Sequence, residues 1–214
     1  LSGTCDIAGS SRSIKKEEMA QTRAKGITPT EFTVALDGLA VVVNPANPVS
    51  QLTIDQLADI FTGRIKNWKE VGGRDLPIVL LSREVNSGTH VYFKENVLRK
   101  GDVQSTVEFA PEALLMSSSQ AIANEVAQNT GAIGYYGMGY VNQTQKAVAI
   151  AKDNAGPYYT PTLENVISEK YYISRPLIFY TNGPPQGALK DMIDFVFSPE
   201  GQQIVKDTDF VPVK

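Results

Sequence analysis

The sequence is poor in cysteine and histidine, with Cys5 and His90 the single residues of each type among 214. A lone cysteine cannot close an internal disulfide, so the chain is not a disulfide-stabilised scaffold. Structural zinc sites need several Cys and His ligands, and a metal cluster built on histidine is equally unsupported. The sequence therefore predicts no metal and no other cofactor.

An excess of positive charge is also missing. The formal net charge is −3 at pH 7, whereas a nucleic-acid-binding surface needs clustered Lys and Arg. The longest apolar runs, such as Gly38–Val43 and Pro77–Leu81, are far shorter than the roughly 18 residues that span a bilayer. No signal peptide opens the sequence. We therefore expect no nucleic-acid partner, and either a cytoplasmic protein or one whose targeting segment has been removed.

What is present is an ordinary globular composition, 42% hydrophobic and 20% charged, in a chain long enough for one large or two small domains. Short β-rich runs alternate with helical periodicity, a pattern typical of α/β folds. Leu39–Val43 is apolar throughout, as in a strand buried on both faces. Three positions carry the signals of helix starts, namely Ser13, Thr53 with Gln56, and Ser198 with Pro199.

The most informative stretch follows the strand that ends near Leu81. A loop with Arg83 comes next, and Ser87–Thr89 then opens a helix. The first N–H groups of a helix lack intrahelical partners and, together with the helix dipole, favour an anion. The two hydroxyls and the fork-shaped guanidinium add donors of the kind that bind oxyanions. The small glycine lets the backbone come close to the ligand. The stretch therefore predicts an oxyanion site.

The same residues also permit simpler interpretations. Ser87 is equally well explained as a helix N-cap and Arg83 as a surface cation. The stretch is not a P-loop, because no Gly-Lys-Ser/Thr follows a spaced glycine. His90 is a candidate base, but no acid to orient it is evident, which favours a surface or supporting role. Spacing alone leaves these interpretations and the oxyanion site open.

Ordered motifs run along nearly the whole chain. Residues 83–89 read Arg-x-x-x-Ser-Gly-Thr, and residues 37–44 read Asp-Gly-x-Ala-Val-Val-Val-Asn. The further motifs are Asp6–Arg12, Leu52–Gly73, Gly131–Tyr135, Ile173–Leu177, Ser198–Gln202 and Phe210–Val213. In this order they resemble the motifs of the periplasmic phosphate-binding proteins of ABC importers, whose phosphate loop matches residues 83–89. Each motif alone is weak, but together they are highly specific.

The resemblance implies an α/β, two-lobed periplasmic binding protein type II fold with a two-stranded hinge and the anion in the cleft. Leu39–Asn44 would be the first crossover, and the return crossover would lie within 145–180. Lobe I would then comprise 1–40 and about 171–214, and lobe II about 41–170.

Carried over position by position, the resemblance also implies the phosphate-binding residues. Ser10 would donate its hydroxyl, with Ser11 the alternative under a one-residue slip. Asp37 would be a buried acceptor and Arg83 the charge partner. The donors at the helix terminus would be Ser87, Gly88 and Thr89.

The function that follows from the resemblance is non-catalytic binding of inorganic phosphate. The protein would deliver phosphate to the membrane permease of an ABC importer, and it would reside in the periplasm or another extracytoplasmic space. A carboxylate such as Asp37 accepts a hydrogen bond from the O–H of phosphate, whereas sulfate has no O–H to donate. A wrong ligand would leave that buried charge unpaired, which predicts selectivity for phosphate.

Two departures from the family pattern bear on the site. The family normally begins with a strand and a Gly-Ser-Thr loop that feeds a helix, whereas this sequence starts after them, so lobe I would be truncated. The site would then be incomplete, or completed by a second copy in a homo-oligomer. The family also often places an acid two residues after the loop arginine. Here that position is Val85. The adjacent Glu84 is therefore a further candidate site residue, as the acid that would pair with Arg83.

Three other functions fit parts of the sequence. A receptor or sensor for another oxyanion would be distinguished by ligand competition. A phosphate-ester hydrolase would use Ser87 or His90 in a covalent role, but the base, acid and metal partners for such a step are missing. A truncated assembly fragment without ligand would be distinguished by light scattering.

Overall fold

A computed structural model describes residues 5–208 and 210–213 of the chain. The chain forms two units, unit 1 from Leu1–Asp37 with Ser174–Lys214 and unit 2 from Gly38–Ile173. It leaves unit 1 between Asp37 and Gly38, just before the predicted crossover. Leu39–Asn44 therefore lies wholly within unit 2.

Strands and helices alternate along the described residues, which confirms the predicted α/β class. The strands are β1 (Ala8–Ser10), β2 (Pro29–Val43), β3 (Gln51–Thr53), β4 (Val79–Arg83), β5 (Leu114–Met116), β6 (Ala132–Gly137), β7 (Lys146–Ala147), β8 (Ala149–Ala151) and β9 (Ser174–Asn182). The helices are α1 (Lys16–Ala24), α2 (Ile54–Phe61), α3 (Gly88–Phe93), α4 (Ser119–Gln128), α5 (Leu163–Ile167), α6 (Ala188–Val196) and α7 (Pro199–Asp207). Short helical turns cover Trp68–Val71, Lys94–Leu98 and Met138–Tyr140.

Unit 1 is built on β1, β9 and the first part of β2. Strand β1 runs antiparallel to β9, with Ala8 opposite Tyr180, and β9 lies next to β2. Helix α7 begins after Ser198, whose Oγ accepts a hydrogen bond from the Gly201 N–H at 3.1 Å, so this predicted cap is confirmed. A Cβ at Gly201 would lie 2.1 Å from the Phe195 carbonyl oxygen, and the close contact between α6 and α7 therefore requires glycine.

Unit 2 contains a mixed sheet in the order β2, β6, β4, β5, formed with the last part of β2. Strand β6 is antiparallel to β2 and parallel to β4, and β5 is parallel to β4. Strand β7 pairs with β2, while β3 and β8 form a separate parallel pair. Arg83 ends β4 opposite Met116, which ends β5. The loops after both strands therefore leave the same edge of the sheet, where open α/β sheets bind ligands.

The core of unit 2 holds α4 against β4 and β6. Leu81, Ile122 and Val126 are fully buried in one apolar cluster. A Cβ at Gly134 would lie 2.3 Å from Ile122 Cγ2, so α4 packs directly on the backbone of β6. This packing fixes the position of the N-terminus of α4 relative to the end of β4.

Helix starts follow the sequence signals in part. Thr53 and Gln56 form the predicted capping box, with N–H to side-chain oxygen distances of 3.1 and 2.9 Å. The predicted cap at Ser13 is wrong, because α1 begins only at Lys16. The Ser13 Oγ instead lies 3.5 Å from Glu31 Oε1. The start of the helix is set by Glu18, whose Oε2 accepts a hydrogen bond from the Lys15 N–H at 2.9 Å.

Candidate anion-binding site

The loop between β4 and α3 brings four of the predicted residues to one edge of unit 2. Arg83 is the last residue of β4, Ser87 occupies the N-cap position of α3, and Gly88 and Thr89 form the first turn. A hydrogen bond of 2.9 Å from the Ser87 N–H to the Glu84 carbonyl closes the loop. The predicted strand–loop–helix arrangement is therefore confirmed.

The N-terminus of α3 presents backbone donors. The first helical hydrogen bond runs from the Val91 N–H to the Ser87 carbonyl at 3.1 Å. The N–H groups of Thr89 and His90 precede this bond and therefore have no carbonyl one turn back in the helix. Gly88 is exposed and carries no side chain that would shield the backbone. The turn thus combines backbone donors with the positive end of the helix dipole.

The hydroxyl groups of Ser87 and Thr89 are not used by the protein. Both residues are half-buried, and among the described residues neither hydroxyl has a hydrogen-bond partner. Ser87 occupies the N-cap position, as the simpler interpretation proposed, yet its side chain makes no capping hydrogen bond. Two hydroxyl donors beside an open helix terminus are therefore available to a ligand.

Arg83 is a half-buried residue held by neutral groups, so its interpretation as a surface cation is wrong. Its Nη1 donates to Ser119 Oγ at 3.2 Å, and its Nη2 donates to the Ser117 carbonyl at 3.3 Å. Its Nε is buried and has no hydrogen-bond partner within the described part of the chain. A buried guanidinium donor without a partner is costly unless an acceptor reaches it.

A buried hydrogen-bonded chain lies behind the loop. Ser82 Oγ is 3.0 Å from His90 Nδ1 and 2.7 Å from the Tyr135 hydroxyl. The Tyr135 ring stacks on Phe93 with centroids 3.7 Å apart, and the His90 ring lies 4.5 Å from Phe109. These contacts tie the end of β4 to α3 and β6. His90 therefore supports the loop from the protein interior. Of the two non-catalytic roles predicted for it, this is the supporting role and not the surface role.

The two titratable members of this chain are both held neutral. Burial, and secondarily the positive charge of Lys94, lower the pKa of His90 below 6.5. Burial raises the pKa of Tyr135 above its usual value of 10. Near neutral pH the charge of the site therefore comes from Arg83 and the helix terminus.

Ser10 and Ser11 lie in unit 1, at and just after the end of β1. The Ser10 hydroxyl donates to the Arg12 carbonyl at 2.7 Å and lies 3.3 Å from the Arg12 N–H. These local contacts already satisfy it. Ser11 is half-buried. The Ser10 hydroxyl is therefore not unused in the way that the Ser87 hydroxyl is. Contact of either serine with a ligand stays a prediction.

Asp37 is 4% exposed, so its predicted burial is confirmed. Its Oδ2 accepts hydrogen bonds from Arg175 Nε at 3.0 Å and from Arg175 Nη2 at 2.8 Å. The premise that an unsuitable ligand leaves this carboxylate unpaired is therefore wrong, because Arg175 neutralises it within unit 1. That Asp37 contacts the ligand stays a prediction.

Sequence reasoning missed the partners of both charged residues. Arg175 lies within a recognised motif but carried no predicted role, and Ser117 and Ser119 belong to a run of three serines at the start of α4. Glu84, the candidate next to Arg83, is exposed and does not form the ion pair, since no described carboxylate lies within 4.0 Å of the Arg83 guanidinium. The serine run before a helix was the available signal.

No group of three or more His, Cys, Asp or Glu side chains within residues 5–208 and 210–213 is placed to hold a metal ion. In that same part of the chain, every helix is too short or too polar to cross a membrane.

Comparison with known proteins identifies a family for this arrangement. The family model described as the PBP superfamily domain matches residues 1–200. The phosphate-binding protein PstS of Pseudomonas aeruginosa is 32% identical over 99% of this chain and 69% of its own length. PstS of Borreliella burgdorferi is 33% identical over 97% of this chain and 72% of its own length.

Solved structures give the same result. An ABC-type phosphate transport receptor from Vibrio cholerae is 33% identical with a TM-score of 0.81, covering 98% of this chain and 80% of that one. A protein from Clostridium perfringens, described as a phosphate ABC transporter substrate-binding protein with bound phosphate, is 36% identical with a TM-score of 0.74. It covers 99% of this chain and 81% of that one.

Proposed function

The chain belongs to the PstS family of phosphate-binding proteins within the PBP superfamily, and from that premise we propose that it binds inorganic phosphate without transforming it. The observation that carries the proposal concerns the residues at the end of β4. There the unpartnered Nε of Arg83 and the unused hydroxyls of Ser87 and Thr89 accompany an open helix terminus. The guanidinium and the backbone N–H groups can only donate hydrogen bonds, and the hydroxyls are able to donate them. A phosphate oxyanion requires such donors.

The donors supply enough affinity for a receptor. A hydrogen bond to a charged group contributes about 1.5–3 kcal/mol, and Arg83, Ser87, Thr89 and the first turn of α3 offer several. Association and ordering reduce this sum, but a micromolar site needs only about −8 kcal/mol. The four residues of the loop are therefore sufficient in principle for micromolar binding.

Ser10, Ser11 and Asp37 are lesser contributors in this proposal. The Ser10 hydroxyl must exchange its contacts with Arg12 for any contact with phosphate, and Asp37 must share its carboxylate with Arg175. We also assign the units of the fold to the lobes of the family, with Leu1–Asp37 and Ser174–Lys214 as lobe I and Gly38–Ile173 as lobe II.

The geometry favours binding over hydrolysis. Covalent catalysis by Ser87 needs a base within hydrogen-bond reach, and its hydroxyl has no partner among the described residues. His90 does not fill that role in this arrangement, because its Nδ1 is bonded to the buried Ser82 and, among the described residues, no hydrogen bond joins its ring to Ser87 Oγ. Incubation with a generic phosphate ester is expected to release no phosphate, and turnover above the background rate would overturn this part of the proposal.

The proposed partner is the membrane permease of an ABC importer, to which the protein would deliver phosphate outside the cytoplasm. This part rests on the relatives, which include a phosphate transport receptor of the ABC type. Self-association through lobe I is a separate prediction, and light scattering of the purified chain would detect it.

Calorimetric titration tests the proposal directly. After bound anion has been removed by unfolding, dialysis and refolding, the protein is titrated with phosphate and then with phosphate in excess sulfate. We expect saturable binding of phosphate that sulfate does not displace. Displacement by sulfate would favour a general oxyanion receptor, and the absence of any binding would overturn the proposed function of this chain.

A further inference from the structure

The Arg83 guanidinium is held in place by groups that carry no charge. Its two terminal nitrogens contact Ser119 Oγ and the Ser117 carbonyl, at 3.2 and 3.3 Å. No carboxylate of residues 5–208 and 210–213 lies within 4.0 Å of it. Within the described residues, no ion pair therefore compensates the positive charge of Arg83.

Most of the other six arginines of the sequence are paired with a carboxylate. Four of them form ion pairs with carboxylates, namely Arg12 with Glu18, Arg64 with Asp59, Arg99 with Glu108 and Arg175 with Asp37. A carboxylate would hold an arginine in place and neutralise it at once. A serine hydroxyl fixes the orientation and leaves the charge available to a ligand.

The fold gives Ser119 a fixed position beside Arg83. Strands β4 and β5 are parallel, and Arg83 pairs with Met116 at their common end. The chain then turns into α4, where Ser118 Oγ accepts a hydrogen bond from the Ala121 N–H at 3.0 Å. Since α4 packs on β4 and β6 through the fully buried Ile122, the backbone at Ser119 is held in place and keeps its hydroxyl within reach of Arg83.

We propose that Ser119 is the positioning residue for Arg83, and that its lack of charge makes the site prefer doubly charged over singly charged phosphate. The inference rests on the proposed function. An uncompensated guanidinium attracts a dianion more strongly than a monoanion, and the difference is largest where the group is partly buried. A carboxylate in place of Ser119 would keep Arg83 oriented but remove this preference.

The titratable groups around Arg83 do not obscure the preference for doubly charged phosphate. His90 and Tyr135 lie beneath it and stay neutral near pH 7, because burial lowers the pKa of the first and raises that of the second. Lys94 and Glu108 act on His90 from the α3 side, and the exposed Glu84 follows Arg83 in the loop. Phosphate itself loses its second proton near neutral pH, so the ligand supplies the titration.

The test measures phosphate affinity at about pH 6.5 and about pH 8, on either side of the second ionisation of phosphate. The variants are Ser119→Ala and Ser119→Asp. We expect Ser119→Ala to weaken binding about threefold at both pH values, because one hydrogen bond to the guanidinium is lost but the charge remains. Ser119→Asp is expected to weaken binding about tenfold or more at the higher pH and less than about threefold at the lower.

Two further variants make the result specific. Gln120→Glu adds the same charge one residue later, on an exposed side chain bonded to Asn124 at 2.8 Å, and should change the affinity ratio less than about twofold. Ser119→Thr keeps the hydroxyl and should restore binding to within about twofold of the parent chain. If Ser119→Asp does not fold, the difference between the Ala and Thr variants still tests the positioning role.

The outcomes separate this inference from the proposed function. A parent chain that binds no phosphate overturns both. A parent chain that binds phosphate while Ser119→Ala is unchanged, or while Ala and Asp variants show equal losses and the same pH dependence, overturns only the inference. A pH dependence flattened by Ser119→Asp alone supports it.

Discussion

The predicted ligand residues of the two units differ in what their polar groups already contact. In unit 2 the hydroxyls of Ser87 and Thr89 and the Nε of Arg83 have no partner among the described residues. In unit 1 the Ser10 hydroxyl is bonded to the backbone of Arg12, and Asp37 is paired with Arg175.

The difference separates groups kept for a ligand from groups used by the fold. Proteins rarely leave buried donors without partners, because each costs about 1–3 kcal/mol. An unsatisfied Arg83 Nε is therefore informative, whereas a satisfied Asp37 is explained by the stability of unit 1. The comparison predicts that substitutions in the loop after β4 change affinity, and that substitutions in unit 1 change stability.

The largest effect is expected at Arg83. Arg83→Ala removes the charge and at least two hydrogen bonds to the ligand, and should weaken phosphate binding about a thousandfold. Calorimetry measures the loss, with Arg64→Ala as the matched control because that exposed arginine pairs with Asp59 elsewhere in unit 2. If Arg83→Ala binds phosphate within about threefold of the parent chain and melts at the same temperature, the loop is not the site.

The next effect concerns Asp37 and is expected in stability. Asp37→Asn leaves the guanidinium of Arg175 without its carboxylate, and the side chains involved are only 6% and 11% exposed. We expect the free energy of unfolding to fall by about 3 kcal/mol, measured by urea denaturation without phosphate. The double variant with Arg175→Met should recover part of the loss. Unchanged stability together with new sulfate binding would instead identify Asp37 as a ligand residue.

Smaller effects are expected at the hydroxyl groups, where the two units can be compared side chain by side chain. Ser87→Ala and Thr89→Val should each weaken phosphate binding about tenfold, with little change in stability, because no protein hydrogen bond is lost. Ser10→Ala is the matched substitution in unit 1 and should change affinity less than about twofold. Equal losses at Ser10 and Ser87 would remove the distinction between the units.

The smallest effect is a pH dependence of stability from His90. Because burial lowers the pKa of His90 below 6.5, the unfolded chain binds this proton more readily than the folded one. The contribution of neutral His90 to the free energy of unfolding is therefore fully present above pH 6.5 and declines as the pH falls below it. Urea denaturation without phosphate between about pH 7 and pH 5 should show the decline, and His90→Asn should reduce it. An identical slope in both proteins would contradict this assignment.

Local features of the fold could be predicted from the sequence, because their causes lie within a few residues. The capping box of Thr53 and Gln56 and the loop from Arg83 to Thr89 are of this kind. The cap at Ser13 failed because Glu18 accepts a hydrogen bond from the Lys15 N–H, which sets the start of α1 two residues later. A local signal is reliable only where no neighbouring side chain offers a competing start.

The partners of the site could not be predicted. Asp37 and Arg175 are 138 residues apart, and Arg83 and Ser119 are 36 residues apart. Their pairing depends on which strands become neighbours, since β5 delivers Ser119 only by lying parallel to β4. Residue type and spacing indicated an oxyanion, but which donors remain unused depends on the tertiary structure.

The most direct test of the account is a phosphate titration followed by ¹H–¹⁵N NMR. We expect the largest saturable shifts at the amide groups of Gly88, Thr89 and His90 and at the side-chain Nε–H of Arg83. Saturable shifts centred on Ser10 and Arg12, with the loop after β4 unchanged, would contradict it.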